Sequence, residues 1–283
     1  MAHVLEWIKL NHTKIEPTTP SDKWIEPDFV CSRGLLTRLF RTRDSIKDDW
    51  IIYAAKWRGT IYMRADKKDK INYMRNKTMA RMSSWGHKFE QYLVTDSPDK
   101  SPDTSEVVVE TNEFRCVYKR RFGDHTVLYA SEMDAVLSET KLEDPLPMKN
   151  LKFVELKTNK MIQHGGHERT LRIHKFSKWW CQAFLSNVDK VVCGFRDDSG
   201  MVHELKDYSV AELAKMPDSW DPRGCANFCA SLLTRISKAV INECDETIYK
   251  FERLPGANSI YITQLPASSE HEFIPKSYRD ATE

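Results

Sequence analysis

Two short charged runs, Glu132-Met133-Asp134 and Glu155-Leu156-Lys157, each lie inside an apolar stretch and are separated by twenty residues. Successive side chains of a β-strand point to opposite faces. Glu132 and Asp134 therefore share one face of a strand over 128–136, and Glu155 and Lys157 share one face of a strand over 151–158. Charge buried without a partner is costly, so three carboxylates and one ammonium on such strands point to a divalent cation, and hard Mg2+ or Mn2+ suits oxygen ligands. A lysine beside that cation orients or helps deprotonate a water, or neutralises charge building on phosphorus. The implied chemistry is metal-assisted hydrolysis of a phosphodiester or pyrophosphate. The plainer alternative is two half-exposed strands whose charged faces meet water. Two runs in tandem weigh against it.

A third element strengthens the metal reading. Met82, Trp85, Phe89 and Leu93 recur at helical spacing and are expected to pack inward, which leaves Glu90 at the edge of their stripe and able to face a site carried by the sheet.

At 283 residues the chain has ample material for a packed core, and one α/β domain over 1–283 is the economical reading, with a helix and loop over 1–28 before a core over 29–278. No apolar run reaches membrane-helix length, and Glu6 and Lys9 interrupt the apolar residues of the amino terminus, so neither a membrane nor export is expected. Seven scattered cysteines fit free thiols in a reducing compartment, the nucleus or the cytoplasm. Cys225 and Cys229 lack a second pair and are not expected to hold zinc. Forty-three basic against forty-one acidic side chains leave a net charge of +2, so any nucleic-acid surface must be local. Lys67, Lys68, Lys70 and Arg75, running on to Arg81 and Lys88, are one candidate; His174, Lys175 and Lys178, ahead of a Trp179-Trp180 pair, are another. His164 and His167 read as exposed loop residues rather than ligands.

Along the chain the pattern predicts strands at 29–40, 50–56, 60–63, 107–109 and 114–118, the first three successive and antiparallel. It also predicts a long helix over 66–95, a glycine loop over 163–168, a hairpin around Asp197-Asp198-Ser199-Gly200, helices near 209–216 and 225–244, and a last hairpin around Pro255-Gly256.

The ordered set Ser32-Arg33-Gly34, Gly86-His87-Lys88-Phe89-Glu90, Glu132-Met133-Asp134, Glu155-Leu156-Lys157, Lys178 through Gln182 to Leu185, Gly194 through Gly200, and Asn227 through Ala230 resembles the DXO-type decapping exoribonucleases. The resemblance implies a PD-(D/E)xK nuclease-like core: a central mixed, largely antiparallel sheet flanked by helices. It implies that Glu90, Glu132, Asp134, Glu155 and the Leu156 carbonyl hold Mg2+ or Mn2+, that Lys157 and Gln182 contact the scissile phosphate or the attacking water, with Glu132 also at the substrate, and that Arg33 holds substrate phosphates. The implied activity is removal of incomplete, unmethylated or NAD-type caps or a 5′ triphosphate from RNA, with 5′ to 3′ degradation to follow. A different reading is a partner protein that stabilises a separate 5′-3′ exoribonuclease; a third is a DNA nuclease on the same fold. Ser32 departs from the family, which often has tryptophan there.

Overall fold

A strand between two parallel neighbours must bury both faces, and Phe29, Val30 and Cys31 do so completely. The computed structural model describes every residue except 20, 46, 67–76, 112, 217–219, 269 and 283. In chain order its elements are α1 (Ala2–Asn11), β1 (Phe29–Ser32), α2 (Arg33–Arg41), β2 (Trp50–Trp57), β3 (Thr60–Ala65), α3 (Lys77–Leu93), β4 (Phe114–Phe122), β5 (His125–Met133), β6 (Ala135–Leu137), β7 (Lys152–Lys160), α4 (Gly165–Thr170), a π-helical turn (Leu171–Phe176), α5 (Ser177–Leu185), β8 (Lys190–Arg196), β9 (Val202–Ser209), α6 (Val210–Leu213), α7 (Pro222–Ala239), β10 (Thr247–Arg253), β11 (Tyr261–Pro266) and α8 (Lys276–Asp280). They group into two compact units, one of Met1–Lys67, Val117–Ser131 and Asp221–Glu283, the other of Lys68–Cys116 and Glu132–Trp220.

The first unit is built on the seven-stranded sheet, in the order β11-β10-β2-β3-β1-β5-β4. β1 runs parallel to β3 and β5, whereas β2 with β3, β10 with β2, and β10 with β11 are antiparallel. The mixed, largely antiparallel expectation therefore holds. One core cluster joins Leu5 and Ile8 of α1 to Val30, Tyr62, Leu128 and Tyr278. Inside it the Tyr62 and Tyr278 hydroxyls stand 3.0 Å apart, so two buried polar groups satisfy each other.

The second unit carries the four-stranded sheet, in the order β6-β7-β8-β9. β7 and β8 are parallel; β6 with β7 and β8 with β9 are antiparallel. α3 lies on one face, where Phe89 packs with Val154 and Leu156. Phe176, Trp179 and Tyr208 form an aromatic cluster elsewhere in the unit, and both Trp179 and Trp180 are buried.

Several local expectations are corrected. The strand predicted over 29–40 stops at Ser32, and Arg33 opens a helix instead. Leu35, Leu36, Leu39 and Phe40 are all buried at helical spacing, and the Ser32 hydroxyl caps the turn by accepting the Leu35 N–H at 3.3 Å. The three first strands are not successively antiparallel, because β1 joins β3 and β5 in parallel. Residues 107–109 form no strand; Val107 and Val109 are exposed. The glycine loop at 163–168 is mostly helix α4, whose first turn is capped by the His164 ring accepting from the Gly166 N–H at 3.2 Å. α6 opens on a capping box between Ser209 and Glu212, and Pro222 sets the start of α7 ahead of the expected residue. The basic positions Lys67, Lys68, Lys70 and Arg75, and most of the predicted helix before Lys77, lie outside the described residues.

Ser32 thus has a structural task in this chain. Ser32→Ala is expected to lower the unfolding free energy by about 1 kcal/mol, the usual loss for a serine cap, and Ser32→Asp to retain most of it. Urea denaturation followed by circular dichroism measures both; an unchanged midpoint for the alanine variant would show the cap to be idle.

Candidate metal centre

β7 alternates as its sequence dictates. Val154 and Leu156 point to the α3 side, while Glu155, Lys157 and Asn159 share the opposite face. Glu155 is only 1% exposed, and the Lys157 ammonium stands 2.6 Å from its Oε1. The same ammonium lies 3.4 Å from Asp134 Oδ2 and donates to the Leu156 carbonyl at 3.0 Å. Lys157 is thus the hub of three oxygen-bearing groups named from the sequence.

Asp134 reaches this hub by breaking a strand. The single strand expected over 128–136 is two: β5 ends at Met133, and β6 begins at Ala135, opposite Val154. Asp134 falls between them, and its Oδ2 accepts the Leu156 N–H at 2.8 Å. A carboxylate takes the amide that a continuing strand would have bonded through a backbone carbonyl, so pairing stops where the charged groups collect. Glu132, the penultimate residue of β5, is half-buried.

α3 supplies Glu90. Its carboxyl is pushed up to about 7, first by burial and then by the charge of Asp134, with Glu132 adding in the same direction and His87 and Lys157 opposing. His87 Nδ1 stands 3.6 Å from Glu90 Oε2. The helical stripe is narrower than expected: Phe89 is buried, but Met82 and Leu93 are 46% and 39% exposed. A single helix lying on a four-stranded sheet covers only the side chains that face the strands.

Among the described residues, no three His, Cys, Asp or Glu side chains close on one point tightly enough to enclose a cation. Glu155 and Asp134 are gathered about the Lys157 ammonium instead. The donor set nevertheless fits a hard divalent ion: it is all oxygen, and the Glu90 carboxyl, raised first by burial and then by the neighbouring charge of Asp134, is one that a cation would favour in its charged form. Glu90, Glu132, Asp134, Glu155 and the Leu156 carbonyl are the groups that would hold it.

Gln182 is half-buried on α5, among the buried Trp179, Cys181 and Ala183. Arg33, 9% exposed, is the first residue of α2 in the other unit. The His164 and His167 rings are 3.8 Å apart between centroids and tilted by 39° to each other. The Glu155-Lys157 periodicity extends one step further than its charges suggested. Asn159, 8% exposed, accepts from Lys175 Nζ at 2.6 Å, and burial lowers the Lys175 pKa. Lys175 therefore belongs in part to the β7 face, while His174 and Lys178 remain exposed.

The model of a family described as RAI1 like PD-(D/E)XK nuclease matches residues 1–279. The decapping and exoribonuclease protein of Bos taurus is 30% identical over 286 residues, which takes in 99% of this chain and 70% of the bovine protein. Rai1 of Candida albicans, solved in complex with pU5 and Mn2+, has a TM-score of 0.79 at 18% identity, covering 99% of this chain and 80% of that one. Rai1 of Scheffersomyces stipitis, solved with (3′-NADP)+ and calcium ion, has a TM-score of 0.80 at 17% identity, covering 100% and 80%.

The raised Glu90 pKa fixes a pH dependence. A carboxyl near 7 is mostly protonated at pH 6 and must lose its proton to bind a cation, so Mn2+ affinity should be about tenfold higher at pH 8 than at pH 6. In the metal-free chain the sign is opposite. Glu90 holds its proton more tightly folded than unfolded, so its contribution to stability is present below about 4.5 and declines as pH rises towards 7. Calorimetric titration in buffers of different ionisation enthalpy measures the proton released. A pH-independent affinity, or one equally pH-dependent in Glu90→Gln, would remove Glu90 from the centre.

Proposed function

We propose, for a chain that belongs to the RAI1 like PD-(D/E)XK nuclease family, that it is a divalent-cation-dependent hydrolase acting at the 5′ end of RNA. The reaction removes an incomplete, unmethylated or NAD-type cap or a 5′ triphosphate, and 5′ to 3′ degradation of the resulting monophosphate RNA follows. The observation that carries this reading is the Lys157 hub, with Glu155 at 2.6 Å, Asp134 at 3.4 Å and the Leu156 carbonyl at 3.0 Å, beside a Glu90 carboxyl poised near neutrality.

When bound, Mg2+ or Mn2+ supplies Lewis-acid polarisation at phosphorus and a more acidic water. The chain's own groups do the rest. Glu90, Glu132, Asp134 and Glu155 with the Leu156 carbonyl would hold the ion, and the Asp134–Leu156 hydrogen bond at 2.8 Å keeps Asp134 from swinging away. Lys157, tethered by two carboxylates, neutralises charge that grows on the phosphoryl oxygens. Gln182 donates its amide to the scissile phosphate or orients the water. Arg33 grips a substrate phosphate through the planar fork of its guanidinium. Release of pyrophosphate breaks a phosphoanhydride and release of an intact cap breaks a phosphodiester, but each is attack of water on a phosphorus close to the first nucleotide, so one set of residues serves them all.

All seven cysteines are buried thiols outside any disulfide, which supports a reducing compartment, the nucleus or the cytoplasm. Among the described residues no helix is long and apolar enough to cross a membrane. One observation favours an added role beside a separate 5′-3′ exoribonuclease. An apolar groove runs between α3 and the β8–β9 hairpin, and its walls include Tyr92, Leu93, Met201 and Leu205, exposed by 57%, 39%, 63% and 55%.

The test is product analysis with Mg2+ and with Mn2+ on matched RNAs carrying a monophosphate, a triphosphate, an unmethylated cap, a methylated cap or an NAD cap. Release of an intact cap or pyrophosphate is expected, reduced by at least about a hundredfold in Glu132→Ala and Asp134→Ala. Full turnover in those variants would overturn the site. No turnover on any RNA, with a stable complex formed with a 5′-3′ exoribonuclease in gel filtration, would make the partner role primary.

A further inference from the structure

α3 touches β8 and its hairpin at two glycines. A Cβ built on Gly194 would stand 2.5 Å from Phe89 Cε2 and 2.8 Å from its Cζ, so the phenyl ring lies directly on the β8 backbone. A Cβ on Gly200 would stand 2.6 Å from Cε2 and Nε1 of the Trp85 indole, and Gly200 has φ of +98°, where a side chain is strained in any case. Trp85 is also held by the Arg196 guanidinium, whose carbon is 4.3 Å from the ring centroid, with Arg81 at 4.9 Å. Arg196 is 7% exposed and donates from Nη1 to the Asp197 carbonyl at 3.0 Å, so this clamp is itself fixed to the hairpin.

Trp85 and Phe89 are four residues apart and lie one above the other on the helix. Two such points determine both the height of α3 over the sheet and its rotation about its own axis. Glu90 follows Phe89 directly. The reach of its carboxyl from α3 is therefore set by how deeply the Phe89 ring sinks, and that depth is available only where β8 has no side chain.

We propose that Gly194 is a positioning residue for Glu90: its missing side chain seats Phe89 against β8 and thereby carries the Glu90 carboxyl to the metal centre, with Gly200 and Trp85 as the second bearing of the same helix. The proposal rests on the reading of Glu90 as part of a cation site. Alanine at 194 would raise the closest approach from 2.5 Å to ordinary carbon contact, a shift of about 1 Å. Metal ligand distances tolerate only about 0.2 Å, so a carboxylate moved by that much no longer closes the coordination sphere.

The experiment has two arms. In the first, the crystal structure of Gly194→Ala is expected to show α3 lifted from β8 and the Glu90 carboxyl drawn away from Asp134 and Lys157; an unmoved helix overturns the proposal. In the second, calorimetry with Mn2+ is expected to show affinity weakened about ten- to a hundredfold in Gly194→Ala. Phe89→Leu/Gly194→Ala, where the smaller side chain makes room, should bind Mn2+ as Phe89→Leu alone does. Gly194→Ala should add no further loss in a Glu90→Gln background, because the group it displaces is already gone. Undiminished affinity, a persisting loss in the Phe89→Leu pair, or an equal loss in both Glu90 backgrounds overturns the proposal. Should the parent chain itself not bind Mn2+, the cation reading fails, and the crystallographic arm still decides whether Gly194 seats the helix. Circular dichroism confirms folding of each variant; if Gly194→Ala alone is unfolded, the Phe89→Leu pair carries the comparison.

Discussion

The charged face of β7 is arranged around one ammonium among carboxylates. Lys157 sits between Glu155 and Asp134, with Glu155 sealed almost entirely from water. Like charges brought together away from solvent repel strongly, and the fold tolerates them only because a counter-charge stands at hydrogen-bonding range. The balance is incomplete. Burial first, then Asp134 and Glu132, raise the Glu90 carboxyl, and His87 and Lys157 only partly oppose them. A site left with surplus negative charge is primed for a cation of higher charge, and a protein that kept Lys157 alone as counterion would have little reason to assemble so many acids.

The scaffold around that charge shows how backbone choices serve it. Sheet pairing is interrupted at Asp134 so that a carboxylate, not a carbonyl, meets the Leu156 amide. The same interruption ends β5 and starts β6, so the chain leaves the seven-stranded sheet and enters the four-stranded one at the acidic residue. On the other face, glycines at 194 and 200 let two aromatic rings approach a strand and its turn more closely than any side chain would permit. Neither device adds a catalytic group. Both determine where existing groups point.

Period-two reasoning identified β7 and its charged face because alternation is a local property that tertiary packing rarely overrides. Glu155 and Lys157 are neighbours for the reason the sequence suggests. The same reasoning misjudged how Glu132 and Asp134 come together, since a side chain that replaces a backbone acceptor leaves no trace in hydrophobic periodicity. Arg33 falls within an expected strand because apolar residues flank it on both sides, from Phe29 to Cys31 and from Leu35 to Phe40; Ser32 decides otherwise, since its cap converts the second half to helix. Met82 and Leu93 looked like core residues, yet they lie exposed, because periodicity marks an apolar stripe without saying how much of it a neighbour covers. The family resemblance, resting on several ordered motifs, was more durable than any single one of these local readings.

The π-helical turn at Leu171–Phe176 has a meaning for how such chains change in length. A π turn holds one residue more per turn than an α-helix, and here it joins α4 to α5 without a break. That surplus residue makes the segment a register joint. Everything ahead of it, including His164 and Glu168, is rotated relative to the face that bears Gln182, while Lys175 within it is tied to Asn159 of β7. A sequence one residue shorter here would restore an ordinary helix, leave α5 seated by Trp179, Trp180 and Ala183, and turn only the outer segment. Loss of one residue in this stretch would thus be absorbed at the periphery, and Gln182 would keep its place.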